Sequence, residues 1–305
     1  MSDWFSRPLL DLRAVDLDSA ARVEYLLCQR FRYEYDAPAF DVRQRLVAVP
    51  RRRHGSLHLR AHHVDVAVTE PGPWSQRRRL DRRGNTVVDV HVAEVRCAVE
   101  FTLAAIVHRD GPPAETSLPM SSLRDRAHLQ PTALTNADAA LQAMAVELRS
   151  STADDAEFAE RACTAVNSGM TYDFGATTVD TTAAQAWAIG RGVCQDSAHV
   201  LLAVCRAAGV PARYVSGHLL GQLGGSHAWV EVLVAAGAAA RAIGVDPSNG
   251  CPAGPRHLPV AVGRDYRDVA PTSGSYLGRA NGRLTSAKHA GVTSVVEDLF
   301  TDIAL

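Results

Sequence analysis

The sequence predicts an α+β fold in which a β-sandwich-like N-terminal region precedes a core of helices packed on an antiparallel sheet. Through much of the first 118 residues, apolar and polar residues alternate with a period of two, as is typical of strands. Helical spacing and capping signals then dominate as far as Gly209. Strand-like segments follow these helices instead of alternating with them, which favours α+β over α/β.

The N-terminal region shows the alternation most clearly near its two ends. Between Val23 and Tyr35 the odd positions are mostly apolar or aromatic, and the residues from Val99 to Val107 repeat the pattern. Turn-forming segments separate the runs at Asp36–Pro38, Thr69–Pro73 and Asp110–Pro113. Several short strands with turns between them predict a sandwich or an open barrel.

Four histidines of this region lie close together in the sequence: His54, His58, His62 and His63. They lack the spacing of a zinc-binding helix, and no paired cysteines or acids accompany them at ligand spacing. We interpret them as the polar face of a strand rather than as metal ligands.

Four helices are predicted in the middle of the chain. They cover residues 137–149 with Asn136 as the N-cap, Asp154–Asn167, 182–190, and 194–208. Thr182 and Gln185 match a capping box, and Gly209 followed by Pro211 ends the last helix.

Three strand-like segments come next, at Ala212–Gly217, His227–Val234 and Arg241–Asp246. The residues after about Asp265 are typical of terminal strands that complete a sheet. These patterns predict a β-rich N-terminal domain over 1–118, a core over 119–275, and C-terminal strands over 276–305.

The composition excludes several classes of partner. Hydrophobic residues make up 47% of the 305 residues and charged residues 21%, as in soluble globular proteins. The net charge of −1 gives no reason to expect nucleic acid or a membrane surface as a partner. We interpret the basic runs Arg51–His54 and Arg77–Arg83 as solvated loops, because both adjoin turn-forming residues. The oligomeric state is left open.

The six cysteines, at positions 28, 97, 163, 194, 205 and 251, are scattered and form no CxxC pair. This spacing argues against a disulfide framework or a zinc site, and no calcium-binding loop of the DxDxDG type occurs. We therefore expect no cofactor and no metal. The first residues contain acids and no apolar run of signal-peptide length, so we expect a cytoplasmic location.

Cys194 is the candidate nucleophile, because the turn GRGV brings it to the start of a helix. The helix N-terminus provides unpaired N–H groups and partial positive charge, which favour a thiolate. His227 follows the flexible GGS segment and opens a strand, and Asp246 ends the next strand-like run in GVDPSNG. Two adjacent antiparallel strands would bring this histidine and this aspartate together, so the order predicts a Cys–His–Asp triad.

Several residues near the candidate triad are predicted to have structural rather than catalytic roles. Cys205 lies on the apolar side of the same helix and is interpreted as an inert core residue. Asp196 favours the helix dipole and is expected to face the backbone. His199 is expected to be a buried hydrogen-bonding residue, and Trp229 either lines the cleft or packs in the core.

The segments GRGVCQDSAHVLLAVCRAAGVPARYVSGH, SHAWVEV and GVDPSNG closely resemble the transglutaminase-like superfamily, over roughly residues 120–275. The bacterial proteins of this superfamily that carry a β-rich N-terminal region are the most similar. The resemblance implies a papain-like α+β core. It also implies that Cys194 is the nucleophile, His227 the base and acid, and Asp246 the orienting carboxylate.

The reaction implied by this resemblance is acyl transfer from an amide through a thioester at Cys194. We expect a protein or peptide substrate and hydrolysis of peptide or isopeptide bonds. Transfer to an amine, which would cross-link proteins, is the alternative. A non-catalytic binding scaffold is disfavoured because all three triad members are present. The second donor to the oxyanion is unassigned, since none of Gln185, Tyr172 and Trp187 aligns with a known donor.

Overall fold

The computed structural model describes residues 4–69, 72–222 and 224–297. A short 3-10 helix, Trp4–Ser6, precedes the strands of the N-terminal part. These strands are β1 (Arg22–Tyr35), β2 (Ala39–Leu46), β3 (Arg53–His54), β4 (Leu57–Val68), β5 (Trp74–Leu80), β6 (Thr86–Val95), β7 (Ala98–Asp110) and β8 (Thr116–Pro119).

A second 3-10 helix, Met120–Arg124, leads into the helical part. The helices are α1 (Arg126–Leu129), α2 (Ala139–Ser150), α3 (Asp155–Gly169), α4 (Ala183–Ile189), α5 (Cys194–Ala207) and α6 (Tyr266–Val269). The remaining strands are β9 (Thr171–Tyr172), β10 (Arg191–Gly192), β11 (Ala212–Leu219), β12 (His227–Ala236), β13 (Ala239–Asp246), β14 (Cys251–Pro252), β15 (His257–Gly263), β16 (Thr272–Leu277) and β17 (Gly282–Val296).

Two antiparallel sheets form the N-terminal part. Their strand orders are β17-β1-β7-β4-β3 and β16-β2-β6-β5. Alternate residues of both sheets, such as Phe101 on β7 and Val90 on β6, belong to one hydrophobic cluster. Because both sheets contribute alternate side chains to this cluster, they pack face to face, as in a sandwich.

The last two described strands, β16 and β17, belong to these two sheets. β17 pairs with β1 from Arg22↔Val296 to Tyr35↔Gly282, and β16 pairs with β2. β8 pairs instead with β13 of the core. A boundary at residue 118 therefore falls within β8, and the division into three segments stays a prediction.

The core is a sheet in the order β14-β13-β12-β11-β15, with β8 beside β13. Helix α5 packs on β11 and β12 and is surrounded by α2, α3 and α4. Every residue of α5 from Gln195 to Arg206 is buried. The mixed α+β architecture agrees with the prediction, and α5 is the central helix that orients Cys194 toward the sheet.

Local details differ from the sequence predictions at the first two helices. Asp138, not Asn136, caps α2, because its carboxylate accepts from the backbone N–H of Leu141 at 3.0 Å. The carboxylate of Asp154 caps α3, which runs to Gly169, two residues beyond the predicted end. The carboxylate of Asp138, two residues beyond Asn136, accepts the hydrogen bond that the sequence pattern predicts for the amide.

The two basic runs are not simple loops. Arg77, Arg78 and Arg79 lie on β5, an edge strand whose side chains are all exposed. Charged side chains are common on edge strands because they discourage pairing with other chains. In the other run His54 contacts the buried Glu231 of the core. Among the described residues, no helix is long and apolar enough to span a membrane.

Candidate active site

Cys194 is the first residue of α5, directly after the short strand β10. β10 pairs in parallel with β9, and the N–H of Asp173 donates to the carbonyl of Gly192 at 2.8 Å. The preceding helix α4 ends at Gly190, whose φ of 65° is in the left-handed region that glycine tolerates. The glycine turn thus reverses the chain and presents Cys194 at an open helix end.

Asp196 holds the start of α5 in place. Its carboxylate accepts from the N–H of Val193 at 2.8 Å and from the hydroxyl of Thr177 at 2.6 Å. Burial raises the pKa of Asp196, and these hydrogen bonds partly oppose the rise. Asp196 therefore faces the backbone, as predicted, and ties the 173–181 segment to the helix.

His227 opens β12 and interacts with both other candidate residues. Its Nε2 donates to Oδ2 of Asp246 at 2.7 Å, and its ring lies close enough to Cys194 for the two groups to interact electrostatically. Burial alone lowers the pKa of His227, but the interactions with Asp246 and Cys194 outweigh it and raise the pKa to about 9. This environment favours the imidazolium form.

Asp246 lies fully buried at the end of β13. Its Oδ2 also accepts from Nε2 of His257 at 3.1 Å and from the side-chain amide of Asn249 at 2.7 Å, and its Oδ1 accepts from the N–H of Ser248 at 3.0 Å. Burial opposes ionisation, but the bond from His227 and these further bonds lower the pKa of Asp246 overall. The carboxylate is therefore held ionised in a fixed orientation.

Sequence reasoning missed His257 and Asn249. Asn249 lies in the same GVDPSNG segment as Asp246, so the turn itself indicates that the two side chains are close. His257 lies eleven residues beyond Asp246, at the start of β15. No spacing rule connects it to the site, because β15 reaches the site only through its pairing with β11.

Trp229 packs beside this network. Its ring stacks on His227 at 6.2 Å between centroids and meets His257 edge-on at 5.2 Å. The side chain is buried in a small cluster with Val215 and Val262. Of the two roles considered, packing in the core is the one that the burial supports, and the indole braces both imidazole rings.

A lysine of the sandwich forms hydrogen bonds with the segment before His227. Lys288 on β17 donates from Nζ to the carbonyls of Gln222 at 3.2 Å and of Gly225 at 3.0 Å. Burial lowers the pKa of this ammonium. The segment before His227 is thus held by Lys288, a residue about sixty positions further along the chain. The sequence pattern did not reveal this contact.

The three residues considered as oxyanion donors have different surroundings. Gln185 completes the capping box of α4. Trp187 packs so closely on Gly169 that a Cβ there would lie 2.2 Å from its ring. Tyr172 on β9 is 62% exposed, and burial together with the negative charge of Cys194 raises the pKa of its phenol. Tyr172 is therefore close enough to Cys194 for the two charges to interact.

The remaining predicted neighbours are buried in less reactive settings. Burial raises the pKa of Cys205 and of Cys163 to about 12. His199 is fully buried, its pKa is lowered by burial to about 4, and its Nε2 accepts from the N–H of Tyr266 at 3.2 Å. His199 thus serves as a buried hydrogen-bonding residue, as predicted.

One group of three potential metal ligands occurs within the described ranges, formed by His227, Asp246 and His257. Their ligand atoms all lie within 4.8 Å of one another. Both imidazole Nε2 atoms already donate to the same carboxylate oxygen of Asp246. A hydrogen-bond network accounts for this cluster.

Comparisons with known proteins match two regions of the chain to family models. Residues 142–246 match the model of the transglutaminase-like superfamily, and residues 25–108 match that of the bacterial transglutaminase-like N-terminal region. A solved structure of a candidate cysteine protease from Cytophaga hutchinsonii superposes with a TM-score of 0.68 at 18% identity, covering 90% of this chain and 91% of that one. At this identity the likeness concerns the fold.

Curated relatives match over shorter segments. An uncharacterised protein of Mycobacterium leprae (strain TN) is 40% identical over 121 residues, which cover 37% of this chain and 42% of the relative. One from Mycobacterium tuberculosis (strain ATCC 25618 / H37Rv) is 34% identical over 116 residues, 34% of this chain and 37% of the relative. The matched part thus spans less than half the length of these relatives. By its two matching regions, residues 142–246 and 25–108, the chain belongs to the transglutaminase-like superfamily and carries a bacterial transglutaminase-like N-terminal region ahead of the core.

Proposed function

We propose that this protein is a cysteine-dependent enzyme that forms a thioester at Cys194 and hydrolyses peptide or isopeptide amide bonds. The observation that carries the proposal is the hydrogen-bonded pair His227–Asp246, which interacts with Cys194 at the start of α5. A nucleophile, a base and an orienting carboxylate in this order are the elements of nucleophilic acyl transfer.

The proposed reaction has two halves. Sγ of Cys194 attacks the amide carbonyl carbon, and His227 gives its proton to the departing amine as the C–N bond breaks. Water then attacks the thioester while His227 takes a proton from it, and the C–S bond breaks to release a carboxylic acid and the thiolate of Cys194 beside the protonated His227. The backbone N–H of Cys194 is at the first position of the helix, has no partner among the described residues, and is available to stabilise the oxyanion.

Exposed aromatic residues support a polypeptide substrate. Phe174 is 89% exposed and Tyr172 is 62% exposed, and both lie on the segment that packs on the start of α5. Large aromatic side chains at a protein surface favour contact with apolar groups of a partner. We assign these two residues to the surface that receives the side chains flanking the scissile bond.

One observation favours the alternative acceptor, an amine. The whole chain contains a single lysine, Lys288, although lysine and arginine together number 32. That lysine is half-buried and donates to two backbone carbonyls. A cross-linking enzyme with a single, half-buried lysine would have almost no amine of its own to react with its thioester, so it would not cross-link itself. Transfer to the lysine of another protein is therefore our second candidate function.

The decisive experiment incubates the protein with a mixture of peptides that contain glutamine and lysine, followed by mass spectrometry. Cleavage fragments that have gained water support the hydrolase, whereas cross-linked peptides that have lost ammonia support the transferase. Cys194→Ala should lower either activity by about 10⁴-fold or more. Cys97→Ala, which removes an exposed cysteine of the sandwich, is the matched control. Full activity in Cys194→Ala would refute the proposal.

A further inference from the structure

A cavity of about 270 Å³ lies between the sandwich and the core sheet. Tyr25 and Arg109 line it from the sandwich, and Trp229, Glu231 and His257 line it from the core. It is separate from the thiol of Cys194, which is not part of its lining.

Arg109 is the distinctive group of this cavity. The residue is only 1% exposed, and its Nη2 donates to the carbonyls of Leu17 and Ala20. Its Nε and Nη1 have no hydrogen-bond partner among the described residues. A buried guanidinium whose N–H groups are unpaired is unfavourable, so these donors are poised to bind an anion.

The other free polar groups of the cavity are also donors. The hydroxyl of Thr116 is buried and unpartnered within the described part of the chain. The oxygen of Ser56 accepts from the N–H of Ala114 at 3.1 Å, which leaves its own proton able to donate. A carboxylate accepts such bonds and compensates the charge of Arg109.

The acids in the wall are already paired. Glu231 accepts from Arg213 at 2.7 Å and from His54 at 2.6 Å, and Glu115 pairs with Arg241 at 3.2 Å. They therefore do not offer a site for a second cation. The rest of the wall is largely apolar, with Leu57, Pro113, Ala253, Pro255 and Pro259.

We propose that this cavity binds a small carboxylic acid, as its carboxylate, with the charge on Arg109 and a short apolar body against Leu57 and the prolines. The volume is near the lower end for ligand pockets, which restricts the ligand to a small molecule. The bound molecule would contact the 254–257 turn, whose Pro255 carbonyl accepts from the hydroxyl of Tyr25 at 3.2 Å and whose His257 bonds to Asp246. Occupancy would therefore stiffen a segment that supports the active site.

The test is isothermal titration calorimetry with benzoate and 4-methylpentanoate, and with the neutral benzamide and 4-methylpentanamide as matched probes. We expect saturable binding of at least one carboxylate, with its amide about tenfold weaker or worse, because the charge-assisted bonds are lost. Arg109→Met should weaken carboxylate binding by a similar factor. Arg60→Met, which removes an exposed arginine from β4, should leave it unchanged.

Thr116→Val is the second variant, since Arg109→Met also loses two bonds to backbone carbonyls and its folding must be checked by circular dichroism. It should weaken carboxylate binding severalfold while keeping the side-chain shape. The proposal is overturned if neither carboxylate binds up to about 10 mM, if the amides bind equally well, or if Thr116→Val and a folded Arg109→Met bind like the wild type. Cys194→Ala should bind the carboxylate normally, which separates this result from the acyl-transfer test.

Discussion

At the scale of single residues, the surroundings distinguish Cys194 from the cysteine that shares its helix. Cys194 lies at the start of α5 and interacts with His227, whereas Cys205 is enclosed in apolar side chains. Burial raises the pKa of Cys205 to about 12, so this thiol stays protonated at neutral pH. Alkylation should therefore modify Cys194 and leave Cys205 unmodified in the folded protein.

The titration of His227 gives a residue-scale prediction that needs no substrate. In ¹⁵N-histidine NMR spectra we expect its ring to titrate near pH 9, following the raised pKa. Asp246→Asn should lower that midpoint by roughly one to three pH units, because the carboxylate favours the charged ring.

Since the folded pKa exceeds the ordinary value of 6.5, the stability that protonated His227 contributes is complete below pH 6.5. It is lost as the pH rises through about 9.

Asp11→Asn is the control for this titration, because Asp11 is exposed and its carboxylate bonds only to Arg13 in the described contacts. The resonance of His227 is assigned by its absence in His227→Gln. An unchanged midpoint in Asp246→Asn would contradict the role given to the carboxylate.

At the scale of elements, the entry into α5 depends on close packing between β10 and the first helical turn. A Cβ added to Gly192 would lie 2.6 Å from Oδ2 of Asp196 and 2.8 Å from its Cβ. Asp196 could not then keep its bonds to Val193 and Thr177. The glycine before the nucleophile is thus required for space, whereas Gly190 is required for its positive φ.

We therefore expect Gly192→Ala to destabilise the protein by about 1–3 kcal/mol, as overpacked sites do, and to slow alkylation of Cys194. Urea unfolding gives the free energy of unfolding, and mass spectrometry gives the alkylation rate. Gly225→Ala is the matched control, because a Cβ there meets no atom of the described residues within 4 Å and its φ is not positive. Equal stabilities of the two variants would show that the first turn adapts without cost.

At the scale of the whole molecule, a buried ionic cluster joins the sandwich to the core. Glu231 on β12 bonds to Arg213 on β11 at 2.7 Å and to His54 on β3 at 2.6 Å. Burial opposes ionisation of Glu231, but Arg213 and His54 outweigh it and lower its pKa. The stability from this carboxylate is therefore present above its unfolded pKa of 4.5 and is lost as the pH falls below that value.

His54→Ala should lower the free energy of unfolding at pH 7 by about 1–3 kcal/mol, because it removes a bond to a buried charged group. His91→Ala is matched to it, since His91 bonds to Asp41 at 2.8 Å but on the surface. The exposed pair should contribute less than about 0.5 kcal/mol. Urea denaturation distinguishes the two, and equal effects would mean that the contact between sandwich and core adds little.

Much of the fold follows from local patterns. The period-two runs predicted the strands of the sandwich, and the capping box at Thr182 and Gln185 is present at α4. The start of α5 at Cys194 follows from the glycine turn and from the apolar spacing after it. These features depend on residues within about one or two turns of each other, so the chain reveals them directly. The cytoplasmic location stays a prediction.

The local pattern also placed Cys194, His227 and Asp246 in their elements, because helix starts and strand ends can be recognised from neighbouring residues. Their partners could not be found in that way. His257 reaches Asp246 through the pairing of β15, Lys288 reaches the segment before His227 from β17, and Arg109 meets its cavity from β7. Strand order and register bring these residues together, and both are set by the packing of whole sheets against one another, which no short stretch of sequence encodes.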